Sequence, residues 1–394
     1  MSDKSNDNFV KRIADVPGGA DPSYDKAVKD AESFYAQNEK AARTMFGYPT
    51  HNVKLSPITQ YLVLLHYNSP CTNNCGDINE RGNYRMDTKD VEKKIVKLFA
   101  DKFGMGDGYW GYVTSGGTES NSCGISMAFN KHPDGTLYFS GSAHYSVKKA
   151  GRVYPYFEIP CKDCDRLDTQ LLLETIKNNY EKTGSPANVV LTYGTTLYGA
   201  CDPFDEVVEY LDNEHIPHFI HLDAALFGGI PANQKGAPIL TDLKKRGVDS
   251  VCVSMHKYLG FPEVHSVFVA TDHPWVSTVD YIGQHDTTVS GSRSIPAFAL
   301  YNHLKEQFAV KDEGAYLKNV VFFENALKDA GIEYYRADKA NTFVIDCPSD
   351  EVCKKYQLST FFATENGKKV KKAHIIIFTH HLEKDMTALV KDLK

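Results

Sequence analysis

Two rhythms of apolar and polar positions alternate along the chain, and their order sets the architecture. Between about residues 90 and 270, short apolar runs rich in β-branched and aromatic residues fall at 109–113, 136–139, 188–193, 218–222, 250–254 and 264–270. Longer stretches of helix-like sequence separate them. Several of the short runs are apolar on both faces, as strands covered by helices on each side should be. The alternation predicts an α/β fold around a mostly parallel central sheet. Ahead of it, 21–46 reads as a polar helix, and a Pro- and Asn-rich stretch on to Lys89 reads as an arm. Behind it, periodic sequence from Pro296 through Lys328 predicts long helices, and 333–335, 342–347 and 374–378 predict strands of a smaller α+β domain. The expected division is 1–60 as an N-terminal arm, 61–295 as a large domain and 296–394 as a small C-terminal domain.

Composition narrows the class. At about 100–200 residues per domain, 394 residues suffice for a large core. Hydrophobic content of 42% and charged content of 24% are those of an ordinary globular enzyme. A net charge of −6 gives no field to attract nucleic acid or an anionic membrane, so neither is an expected partner. The longest apolar run, 61–65 and on past His66, is far short of the roughly 20 residues that span a bilayer. The first ten residues are polar, with no apolar stretch behind a basic start. A secretory leader is therefore not expected, and the cytoplasm is the expected compartment. Nine cysteines, an odd number, read as reduced thiols. The close spacings Cys71 with Cys75 and Cys161 with Cys164 lack the second half that a zinc site needs, so no metal is expected.

The chemistry gathers at the ends of adjacent predicted strands. One ends in His221-Leu222-Asp223-Ala224-Ala225, the next in Ser254-Met255-His256-Lys257. Ligands of an open α/β sheet bind outside the carboxyl ends of its strands, where Asp223 and Lys257 both fall. The two residues could simply pair with each other. A third element, Thr114-Ser115-Gly116-Gly117-Thr118-Glu119-Ser120-Asn121, follows a strand and opens a helix. Its glycines admit close approach, and helix N-terminal N–H groups and hydroxyls bind phosphate. A phosphate cradle, an acid for a pyridine nitrogen and a lysine able to form a Schiff base are together what pyridoxal 5′-phosphate (PLP) asks of a protein.

From about Asn73 to the C-terminus the sequence resembles the group II PLP-dependent amino-acid decarboxylases, in the branch that holds histidine decarboxylases and plant serine decarboxylases. The matching motifs stand in family order: Asn73-Asn74-Cys75-Gly76-Asp77, Trp110-Gly111-Tyr112-Val113-Thr114, His144-Tyr145-Ser146-Val147, Gly194-Thr195-Thr196, His221-Leu222-Asp223-Ala224-Ala225, His256-Lys257 and Gly291-Ser292-Arg293. The resemblance implies PLP fold type I, aspartate aminotransferase-like, with Lys257 bonded to the cofactor and Asp223 on the pyridinium nitrogen. It implies that His144 stacks on the ring and that Gly117, Thr118, Ser254 and His256 contact the phosphate. Ala225 would lie under the ring, with Thr195 or Thr196 at its oxygen edge. It implies decarboxylation of a small L-amino acid, histidine first and serine or an aromatic residue as alternatives. An obligate homodimer is also implied, with Ser292 and Arg293 reaching a neighbouring pocket. Tyr281 and His285 are candidates for the proton donor, exposed loop residues being the other reading. Asp87 is a candidate partner for an imidazole if the arm faces the pocket.

The sequence also departs from that pattern. Met255 stands where the family usually has Gly, Ser294-Ile295 replaces Asn-Gly, and Pro262-Glu263-Val264-His265 replaces a commoner Pro-Met-Pro-Cys. These departures leave two rivals open. One is another PLP reaction class, an aminotransferase, aldolase or lyase; the other is a PLP-fold protein kept only for binding.

Overall fold

The computed structural model describes residues 22–365 and 367–394. The polar start from which no leader was expected lies outside the described residues. The chain divides into two compact units, one ending at Met45 and one running from Phe46 to Lys394. Helix α1 (Pro22–Ala42) is the first unit's element. Asp25 in its first turn and Lys40 in its last suit the helix dipole, and Lys26 pairs with Asp30 one turn on at 2.7 Å.

In the second unit the apolar runs become a seven-stranded sheet. Its strands are β1 (Trp110–Thr114), β2 (Thr136–Ser140), β3 (Tyr156–Ile159), β4 (Ala187–Thr192), β5 (His218–Asp223), β6 (Ser250–Ser254) and β7 (Ser266–Ala270), in the order β1-β7-β6-β5-β4-β2-β3. β7 runs antiparallel to both its neighbours; every other adjacent pair is parallel. The carboxyl ends of β1, β2, β4, β5 and β6 therefore share one edge. In register, Asp223 lies beside Thr192 on one side and Cys252 on the other. Helices α2 (Pro57–Tyr67), α3 (Lys89–Phe103), α4 (Gly117–Lys131), α5 (Tyr145–Gly151), α6 (Thr169–Thr183), α7 (Phe204–Asn213) and α8 (Ala297–Phe308) accompany this sheet. The chain then forms α9 (Ala315–Asp329) and a small antiparallel sheet of β8 (Thr342–Asp346), β9 (Ser359–Glu365) and β10 (Lys368–Ile376), with β10 in the middle. Helices α10 (Asp350–Lys355) and α11 (Glu383–Asp392) complete it. The large sheet's core holds Phe99, Trp110, Tyr112 and Phe268, while Phe46, Phe323, Phe343 and Tyr356 belong to the core of the small one.

The predicted arm contains α2, because Pro57 starts a helix here. Pro is tolerated at the first helical position, and the Ser56 side chain caps the helix by accepting from Thr59 N at 3.2 Å. Edge strands β3 and β9 were not foreseen; their side chains are largely exposed, so neither reads as a buried apolar run. Residues 333–335 contribute only a single bridge, Tyr335 to Val344.

The Asn73–Asp77 motif ties the arm to β1. Asp77 accepts from Trp110 Nε1 at 3.0 Å and Thr287 Oγ1 at 2.8 Å, and its carbonyl accepts from Lys89 Nζ at 2.7 Å. Glu92, fully buried, accepts from Asn74 Nδ2 at 2.7 Å and Val113 N at 2.9 Å and faces Arg293 at 3.4 Å. Arg293 is thus turned inward as the counter-charge of Glu92. It does not reach outward to a neighbour, because a buried carboxylate needs a partner. All nine cysteines are free thiols, and only Cys71 is exposed. Among the described residues no helix is long and apolar enough to cross a membrane, and no group of three or more His, Cys, Asp or Glu could hold a metal ion.

Candidate active site

The carboxyl edge of the large sheet opens into a cavity of about 520 Å³. Gly117, Thr118, His144, Asp223, Ala225, Ser254, His256 and Lys257 all line it. Each is placed by the end of a strand. Asp223 is the last residue of β5, Ser254 the last of β6, and Gly117 opens α4 just after β1.

Asp223 is enclosed by partners from the chain itself. Its Oδ2 accepts from Asn121 Nδ2 at 2.8 Å and its Oδ1 from Ala225 N at 3.2 Å. Asn121 is oriented in turn: its Oδ1 faces His221 Nε2 at 3.0 Å, while His221 Nδ1 meets Ser250 Oγ at 2.8 Å. The carbonyl oxygen can only accept, so His221 Nε2 carries the proton and Nδ1 accepts. Burial lowers the His221 pKa to about 4, which keeps the ring neutral and this tautomer fixed. Gly124 is required beside it, since a Cβ there would stand 2.4 Å from His221 Nδ1.

His144 caps α5 by accepting from Ser146 N at 3.3 Å, and its Nδ1 also meets Ser146 Oγ at 2.7 Å. The acceptor role of Nδ1 leaves the proton on Nε2. Burial, with Lys257 adding to it, lowers the His144 pKa, while Asp223 opposes. Ser146 Oγ also accepts from Asn121 Nδ2 at 2.8 Å, so one amide holds both Asp223 and the support of His144. The Tyr145 ring lies 4.2 Å from that of His144 and also lines the cavity. None of Asn121, Ser146 or His221 was foreseen as part of the site, although all three sit inside the quoted stretches.

Elsewhere in the lining, helix α4 presents the unpaired N–H groups of its first turn. Gly117 leaves room there: a Cβ would meet Ser254 Oγ at 3.3 Å. His256 Nδ1 is buried with no hydrogen-bond partner. Burial and the neighbouring Lys257 lower the His256 pKa. Glu119 fastens the mouth, accepting from Ser115 Oγ at 2.6 Å, Ser290 Oγ at 2.7 Å and Tyr112 OH at 2.9 Å.

Some predicted positions fall elsewhere. Thr196 lines the cavity, whereas Thr195 is buried with its hydroxyl accepting from Ala200 N at 3.0 Å, a turn role. Tyr281 is 85% exposed beside a short hairpin and does not line the cavity. His285 Nδ1 meets Glu80 Oε1 at 2.7 Å. Asp87 is not at the cavity either; its Oδ1 accepts from Lys89 N at 3.1 Å at the start of α3. Met255 packs fully buried in the large core, on backbone that is not left-handed, so this departure leaves the cavity lining untouched.

The residues fit PLP. An unpartnered buried imidazole nitrogen and a helix N-terminus await an anion, and a hydrogen-bonded carboxylate and a lysine share the same lining. Fold and site together define a PLP-dependent enzyme of fold type I. Residues 129–300 match the pyridoxal-dependent decarboxylase conserved domain. The chain is 35% identical over 333 residues to the histidine decarboxylase of Pseudomonas entomophila (strain L48), covering 80% of this chain and 78% of that one. It is 32% identical to serine decarboxylase 3 of Oryza sativa subsp. japonica, covering 82% and 73%. Its fold is similar to that of L-methionine decarboxylase from Streptomyces sp. 590, with a TM-score of 0.79 and 20% identity over 95% of this chain and 96% of that one. The chain belongs to the pyridoxal-dependent decarboxylase family, and it is a PLP-dependent amino-acid decarboxylase.

Proposed function

We propose that the chain releases carbon dioxide from a small polar L-amino acid, histidine first and serine second, with Lys257 as the residue that bonds the cofactor. The observation that carries this reading is the convergence of Lys257, Asp223 and His144 on one cavity. Similarity to a histidine decarboxylase at 35% identity favours histidine. When bound, the cofactor supplies an electron sink for the pair left on the α-carbon as carbon dioxide departs. Asp223 holds negative charge for the ring nitrogen, and its partners keep it aimed. His144 offers a ring face for stacking and an Nε2–H for the substrate carboxylate. Gly117, Thr118, Ser254 and His256 would hold the phosphate, Ala225 would leave room for the ring, and Thr196, in place of Thr195, would serve its oxygen edge.

A proton must return to the α-carbon, and Tyr281 is our proposed donor. From its exposed position it acts only if the hairpin moves or if it serves the cavity of a second copy. A homodimer is the expected assembly, working in the cytoplasm. Its support is the apolar face of α2, where Ile58, Tyr61, Leu64, Leu65 and Tyr67 are exposed. We take 61–295 as the cofactor-binding domain and 296–394 as the small domain. The test is carbon dioxide release by the PLP-loaded enzyme across the amino acids. Stoichiometric amine and carbon dioxide from histidine are expected. Release from serine alone would move the substrate, and a keto acid product would sink the reading.

A further inference from the structure

The turn that carries Lys257 is gripped from behind by a histidine that does not line the cavity. We infer that His51 is a positioning residue for Lys257, fixing the backbone of the lysine-bearing turn and tying it to the loop that follows β10. The inference rests on the reading of Lys257 as the cofactor lysine.

His51 is 7% exposed and makes contacts in three directions. Its backbone N donates to Lys257 O at 3.3 Å, and its Nδ1 lies 2.6 Å from Tyr258 O. A carbonyl only accepts, so Nδ1 carries the proton and Nε2 of the neutral ring must accept. It does so from Thr379 Oγ1, at 2.8 Å. Burial holds the His51 pKa near 4, so the neutral ring persists. The next carbonyl along, Leu259 O, is met by His303 Nε2 at 2.6 Å. Three consecutive carbonyls at the root of the lysine are therefore each held by an N–H from outside the turn.

Packing confirms how close this approach is. Gly260 has φ +67°, and a Cβ there would stand 2.6 Å from His51 O and 2.5 Å from Val53 Cγ2. The His51 ring stacks on Phe378, with centroids 5.1 Å apart and planes 11° from parallel. The segment leading to it begins at Phe46, whose carbonyl accepts from Ile376 N at 2.7 Å. Residues 46–53 thus run from the end of β10 to the lysine turn. Reacting groups lose rate steeply when misplaced by about 1 Å, and the accuracy of a site depends on its supporting shell.

The experiment compares holoenzyme variants. His51→Phe keeps the ring's size and its stacking but leaves Tyr258 O unpaired. It is expected to lower kcat roughly 10- to 100-fold with little change in KM. It should also change the visible circular dichroism of the bound cofactor and hasten cofactor loss on dialysis. His51→Asn, whose amide can still donate to Tyr258 O, should recover most of the lost kcat and the dichroism. A His51→Phe enzyme with wild-type kcat and dichroism overturns the inference, as does one whose only change is a lower melting temperature. If His51→Phe does not fold, Thr379→Val decides. It leaves the ring in place but removes its second anchor, so a smaller change in the same direction is expected, and wild-type values overturn the inference. Lys257→Ala separates the two claims. A visible band surviving in that variant sinks the assignment of Lys257, whereas its loss alongside an unaltered His51→Phe enzyme sinks only the role of His51.

Discussion

In one region of the cavity lining Asp223 is held by Asn121 and the Ala225 backbone, with His221 and Ser250 behind them. Elsewhere in the same lining His256 Nδ1 is buried without a partner, and the opening turn of α4 contributes Gly117 and Thr118. The first region is finished by the chain itself; the second is finished by whatever anion arrives. The difference teaches that the two regions answer to different quantities. On the proposed function, groups around Asp223 are preorganised where charge develops, so changing them should alter the rate of the chemical step. Groups around His256 and the α4 turn gain their partners on binding, so changing them should alter how firmly the cofactor is kept.

The sharpest way to break that contrast is Asp223→Asn, which keeps the shape and removes the charge. A loss of kcat of about 10²- to 10³-fold is expected, with cofactor retention nearly unchanged. Steady-state kinetics together with the PLP content after dialysis measure both, and a variant that merely loses cofactor would erase the distinction. His256→Gln is the converse. A hydrogen bond to a charged group is worth about 1.5–3 kcal/mol, so PLP should bind roughly 10- to 100-fold more weakly, with kcat at saturating cofactor close to wild type. Titration of the apoenzyme with PLP reads this directly.

Gly124→Ala tests the support behind Asp223. Its Cβ would stand 2.4 Å from His221 Nδ1, and forcing an atom into a filled core costs about 1–3 kcal/mol. Urea unfolding should show that loss, and kcat should fall while PLP retention does not. The smallest effect near neutral pH is a dependence of stability on pH through His221. Its pKa is 6.5 when unfolded and about 4 when folded, so between those values the unfolded chain binds a proton that the native ring refuses. Stability should therefore fall as pH drops from 6.5 toward 4, by at most about 1.4 kcal/mol per pH unit, and be unaffected by this group above 6.5. His221→Gln should flatten that part of the profile in an unfolding series; an unchanged slope would remove His221 as its source.

Much of the cavity lining was legible: Lys257, Asp223, Gly117 and Thr118 lie within a few residues of a strand end, where local sequence and strand direction suffice, while Ala225 and Ser254 were named from the family resemblance, and all six line the cavity. The support behind them was not legible. Asn121 and His221 are 100 residues apart, and nothing local says that they meet. Choosing between Thr195 and Thr196 depended on which hydroxyl the turn consumes, a matter of one residue's rotation. Arg293 was expected to reach outward because the resemblance implies a homodimer, and its actual counter-charge, Glu92, lies 201 residues away in sequence, where nothing local announces it. Helix α2 was hidden by its own proline, and β3 and β9 by exposed side chains that carry no apolar pattern.

The uneven exposure of the thiols has a practical reach. Eight of the nine cysteines are at least partly covered and Cys71 alone stands open, so a maleimide dye supplied at one equivalent should attach there first. A fluorophore at that position whose emission overlaps the cofactor's visible absorption would report loading and release in real time, without touching any residue of the cavity.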